Sequence, residues 1–112
     1  MSEPDQSAVK AAEVKPLVDL LQYQDSSIVS RVLLKNKGGT VTLFAFDAGE
    51  GLSEHTAPFD ALVVVTDGDA QVEIAGQSFR VRQGETIILP ANRPHAVKAT
   101  TKFKMLLIMI RA

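Results

Sequence analysis

A chain of 112 residues, 46% hydrophobic and 22% charged, is sized for one domain with a single core. Twelve basic against thirteen acidic residues leave a net charge of −1, without the basic excess that nucleic acid or an anionic membrane would call for. Cysteine is absent, which excludes a disulfide framework and a thiolate metal site and fits a reducing compartment. In chain order, the first ten residues, MSEPDQSAVK, are polar and acidic with no apolar signal core. Residues 1–14 are expected to form a flexible N-terminal arm and residues 15–112 the folded domain. Pro16 to Leu21 reads as a short helical turn with proline at its first position. From Ile28 the apolar residues become β-branched and fall in short runs between turn signals, the texture of an all-β sandwich or barrel.

The expected strands are Ile28–Lys35, Thr40–Asp47, two within Gly49–Gly68, Ala70–Ala75, Ser78–Arg82, Thr86–Leu89, His95–Ala99 and Phe103–Ile110, about nine in all. In Thr40–Asp47, alternation puts Val41, Leu43 and Ala45 on one face, and Thr42, Phe44 and Phe46 on the other. Asp67-Gly68 reads as a two-residue hairpin turn, with Gly68 supplying a positive φ. Lys98, Lys102 and Lys104 read as a solvated edge that protects against aggregation. The longest apolar run, Met105–Ile110, is far short of the ~20 residues of a spanning helix. The expectation is a cytoplasmic protein that engages neither membrane nor nucleic acid.

The two histidines, His55 and His95, each lie beside an apolar strand segment, so both are expected to face one shared interior. On a regular strand, His55, Ala57, Phe59 and Ala61 share the inward face while Glu54 and Asp60 point outward. A bulge at Pro58 is the one local device that would re-aim Asp60. Arg93 and Asn92 precede His95 on a loop at the same end, where Arg93 would meet a carboxylate or phosphate. No nucleophile–base pair and no glycine-rich phosphate loop is visible, so the residues alone assign no reaction.

The segments Gly49–Gly68 and Gly84–His95 resemble the two motifs of the cupin superfamily, small double-stranded jelly rolls. The first motif places Gly49, His55, Ala57, Ala61 and Gly68 where the family has glycine, His-x-His, glutamate and glycine. The second places Gly84, Pro90, Asn92, His95 and Ala99 where the family has glycine, Pro-x-Gly, histidine and asparagine. The glycines that bound the motifs, the proline and one histidine per motif match; the second histidine, the glutamate, the glycine of Pro-x-Gly and the asparagine are replaced. The resemblance implies an all-β double-stranded β-helix, or jelly-roll barrel, over about Ile28–Ile110, with the short helical turn before it.

The family's metal site uses three histidines and a glutamate around iron, manganese, nickel or zinc. Here only His55 and His95 keep ligand positions, with Asp60 as the remaining local carboxylate, so such a metal is expected to be weakly bound or absent. The implied function is a small-molecule-binding pocket in the barrel mouth, polarised by His55 and His95. Its expected lining includes Phe44 or Phe46, Phe59, Val63, Ile88, Met105 and Leu107, with Arg93 as a further contact. A metal-dependent enzyme of isomerase or dioxygenase type is the alternative. A dimeric structural module, pairing through the strand FKMLLIMI, is the second, since small cupins commonly form homodimers.

Overall fold

The computed structural model describes residues 9–111. The first eight residues of the expected arm 1–14 lie outside the described residues, and 10–14 are exposed. Pro16 precedes a single 3₁₀ turn, Leu17–Asp19, one position earlier than a first-turn proline. Nine strands follow: β1 (Ile28–Asn36), β2 (Gly39–Phe46), β3 (Gly51–His55), β4 (Asp60–Asp67), β5 (Asp69–Ile74), β6 (Gln77–Arg82), β7 (Thr86–Leu89), β8 (His95–Lys98) and β9 (Phe103–Ile110). They form two sheets whose paired neighbours all run antiparallel, in the orders β1-β2-β9-β4-β7 and β3-β8-β5-β6. This is the double-stranded jelly roll that the motifs imply.

Each sheet gives one face to a shared apolar layer, and strand alternation decides which side chains enter it. In the five-stranded sheet, Phe44 stands in register with Met105, and Phe46 with Phe103. Val63 stands in register with Leu107, and Ala61 with Met109. In the four-stranded sheet, Leu52, Val97, Val72 and Phe79 make one continuous cross-strand row. Phe46 and Phe103 stack at 4.5 Å between ring centroids, and both are fully buried.

The opposite face of the five-stranded sheet is covered over one half only. Residues 17–23 lie across it, held by three side-chain contacts. Lys104 Nζ donates to the Val18 carbonyl at 3.1 Å, Arg31 Nη1 to the Leu20 carbonyl at 2.9 Å, and Tyr23 OH to Asp67 Oδ2 at 2.6 Å. Burial, and then the hydrogen bond to Asp67, hold the Tyr23 phenol above its ordinary range, so it remains the donor. Leu43 and Ala45 on this covered half are fully buried, so both faces of β2 carry packed side chains. Lys104 departs from the expected solvated edge: it is only 6% exposed, and its ammonium lies 5.0 Å from the Tyr23 ring.

Asp67-Gly68 is not a hairpin turn. It joins β4 in one sheet to β5 in the other, two strands that do not pair. The positive φ is present, 71° at Gly68, and it serves a corner where the chain changes sheets. A Cβ there would meet the Lys102 carbonyl oxygen at 2.4 Å, because the loop before β9 packs against this corner. Gly68→Ala is therefore expected to lower stability by about 1–3 kcal/mol, read as a reduced urea midpoint at unchanged slope.

Candidate functional site

The open end of the apolar layer holds a cavity of about 50 Å³. It is lined by Leu52, His55, Ala57, Phe59, Ala61, Leu89, His95, Val97, Met105, Leu107 and Met109. The period-two pattern His55, Ala57, Phe59, Ala61 runs inward as read from the sequence, although the segment crosses from one sheet to the other between β3 and β4. Leu52 joins this lining at an odd spacing from His55. The β3–β8 register shifts between the two residues, and that irregularity returns His55 to the inner face.

His55 and His95 stand directly opposite each other across the β3–β8 pair. Their rings meet edge to face with centroids 4.4 Å apart. The next strand continues the row, since Ile74 is in register with His95. Each imidazole is tied to its own chain: Nδ1 of His55 donates to the Ser53 carbonyl at 3.0 Å, and Nδ1 of His95 to the Arg93 carbonyl at 3.2 Å. His95 is buried, whereas His55 reaches solvent. Burial pushes the His95 pKa below the usual imidazole value; the hydrogen bond to Arg93 opposes this, and the neighbouring His55 adds to it.

The loops that carry the two histidines are bonded together. The Asn92 N–H donates to the Ala57 carbonyl, and the Ala91 N–H donates to Asp60 Oδ1, both at 2.8 Å. These contacts correct the reading of Asp60. It is in register with Ile110, on the face opposite the cavity, and Pro58 does not turn it inward. Its carboxylate clamps the loop before His95 rather than facing the imidazoles.

The remaining expected residues divide. Phe59 and Met105 line the cavity. Phe44 faces the apolar layer but lies deeper along β2, 6.0 Å from Phe46, and does not reach the cavity. The Arg93 side chain is exposed and outside the lining; its contribution is the backbone carbonyl that orients His95. Val63 is buried in the layer below, and Ile88 points out of the barrel at 61% exposure. In place of Ile88, Leu89 faces in, because Ala61 pairs with Leu89. Met109 was legible from its period-two spacing to Met105 and Leu107. Arg111, exposed, holds its guanidinium 5.5 Å from the Phe59 ring.

A resident metal of the family type would need the missing half of its ligand set. Among the described residues no group of three or more His, Cys, Asp or Glu side chains converges. Two imidazoles without a carboxylate do not fit a site that holds iron, manganese, nickel or zinc with three or four protein ligands.

The depressed pKa of His95 ties stability to pH. As pH falls, the unfolded chain takes up its proton at the ordinary imidazole value, while folded His95 resists until lower pH. The unfolded state then binds more protons, so stability rises with pH across that window. Unfolding midpoints are expected to drop as pH is lowered from about 7.5 to below 6.5, the ordinary imidazole value. His95→Gln is expected to flatten that part of the profile; an unchanged slope in the variant would assign the effect elsewhere.

The Cupin domain family model matches residues 42–111. A conserved protein of unknown function from Streptococcus pyogenes is 31% identical, with a TM-score of 0.89 over all of this chain and 96% of that one. A cupin 2 conserved barrel domain protein from Leptotrichia buccalis is 44% identical with a TM-score of 0.82; the match covers 85% of this chain but only 46% of that protein. A cupin superfamily protein from Desulfitobacterium hafniense is 25% identical with a TM-score of 0.86, over 93% of this chain and 95% of the other. No curated protein matches the chain. Two motif histidines in cross-strand register, at the open end of a nine-stranded jelly roll matched by that family model, mark the chain as a member of the cupin family.

Proposed function

We propose that this cupin binds a small molecule in the cavity between its sheets, with His55 and His95 as the polar contacts. One observation carries the reading: the two histidines of the chain come from distant strands and meet at 4.4 Å inside an otherwise apolar lining. The surrounding methyl, methylene and aromatic surface stabilises an apolar ligand by about 25 cal/mol per Å² removed from water. The imidazoles then fix its orientation through a few directed bonds, the usual division of labour in a small-molecule site. A volume of about 50 Å³ limits the enclosed part of the ligand to a few heavy atoms. The test is a fragment screen by ligand-observed NMR. Hits are expected to lose at least about tenfold in affinity in His95→Ala and in His55→Ala, the equivalent of 1.4 kcal/mol. Hits of equal strength in both folded variants would sink the reading.

The bare half of the five-stranded sheet favours a second reading, pairing of two copies. Leu34, Val41, Ile108, Leu62 and Ile88 form one register row across all five strands, on the face away from the cavity. Leu34 and Ile88 at its ends are 64% and 61% exposed, and Ile110 beside the row is 62% exposed. Two copies of such a row would meet face to face about a two-fold axis, and aligned sheet faces pack about 10 Å apart. Sedimentation velocity at high micromolar concentration is expected to give a dimer that Leu34→Glu with Ile88→Glu converts to a monomer. A wild-type monomer under those conditions removes this reading.

A further inference from the structure

Resting on the reading that the cavity takes a small molecule, we infer that its occupant brings a hydrogen-bond donor, a hydroxyl or N–H on a small apolar body, and that the site rejects carboxylate anions. The inference follows from where the imidazole protons are held. Nδ1 of His55 lies 3.0 Å from the Ser53 carbonyl oxygen, and Nδ1 of His95 lies 3.2 Å from the Arg93 carbonyl oxygen. A carbonyl oxygen only accepts, so in each pair the proton is on Nδ1. A neutral imidazole has one N–H, which leaves Nε2 of both rings as a bare lone pair. Neither Nε2 has a hydrogen-bond partner among the described residues.

The rest of the lining is aliphatic or aromatic side chain. The side-chain polarity of the cavity is therefore two acceptors and no donor. A carboxylate entering it would leave water, lose its hydration and face two lone pairs. That combination costs far more than it returns, because a desolvated charge needs donors or a counter-charge. Arg111 does not supply that charge within the cavity: its guanidinium rests against Phe59 but is exposed to water, where screening leaves little attraction. A hydroxyl or N–H, by contrast, donates to an Nε2 lone pair that has no partner among the described residues. A lining that offers acceptors and no donor favours a partner that can donate over one that cannot.

Two measurements on the full chain at about pH 8, above the ordinary imidazole range, test this. Long-range ¹H–¹⁵N correlation of the histidine rings reads the tautomers directly. Both rings are expected to carry the proton on Nδ1; a proton on Nε2 of either ring overturns the inference, whatever binds. Propan-1-ol and propionate are then titrated as a matched pair, followed by the ring ¹⁵N shifts. Propan-1-ol is expected to bind at least about tenfold more tightly than propionate, a 1.4 kcal/mol preference. Equal or tighter binding of propionate overturns the inference while leaving the small-molecule reading standing. If neither probe moves the ring signals although both tautomers are as stated, the small-molecule reading itself falls and takes the inference with it.

Discussion

The structure depends on one constraint: two twisted sheets must each bury a single face against a common apolar layer. Strand alternation then fixes the direction of the side chains from β2 to β9, except where the register shifts in β3 and β4. Phe46 stacked on Phe103 fills the closed part of the layer. The cavity exists where the layer runs out, at the ends of β3 and β9 and the starts of β4 and β8. There the side chains are small, as with Ala57 and Ala61, or polar, as with the two imidazoles, and the facing surfaces no longer interdigitate.

The histidine rings are oriented chiefly by backbone contacts. Cross-strand register aligns them, an irregularity in β3 aims His55 inward, and two backbone carbonyls, Ser53 in β3 and Arg93 in the loop before β8, accept hydrogen bonds from their Nδ1. The loops on either side are joined through Ala57, Asp60, Ala91 and Asn92. The geometry of the pair is therefore a property of the barrel end as a whole. The two remaining motif histidines are thus kept in one place by contacts within the chain itself.

The five-stranded sheet shows the same constraint on its outer side. One half is covered by residues 17–23, which bury Leu43, Ala45 and the stem of Lys104. The other half carries an apolar row that the described residues of the chain leave partly open. A lysine read as solvated and an isoleucine read as cavity lining exchanged roles for this reason. Which face of a strand is covered depends on what packs over it, and for β9 the cover comes from residues more than eighty positions earlier, as in the Lys104 bond to Val18.

The sequence by itself determined the strands, because β-branched runs between glycine, proline and asparagine turns admit little else; β7 and β9 fall where they were read. It also determined that His55, Ala57, Phe59 and Ala61 share a side, since period two is a property of the local chain. Only the tertiary structure decided that Leu89 and not Ile88 faces in, which follows from pairing with Ala61. Likewise it decided that Asp67-Gly68 turns a corner between sheets, which no dipeptide can announce because the partner strand is chosen elsewhere. Asp60 became a clamp for the loop before His95, and Arg93 the carbonyl acceptor that orients the His95 ring, for the same reason. Local alternation says which side of a strand a residue takes, and only register between distant strands says what it meets there.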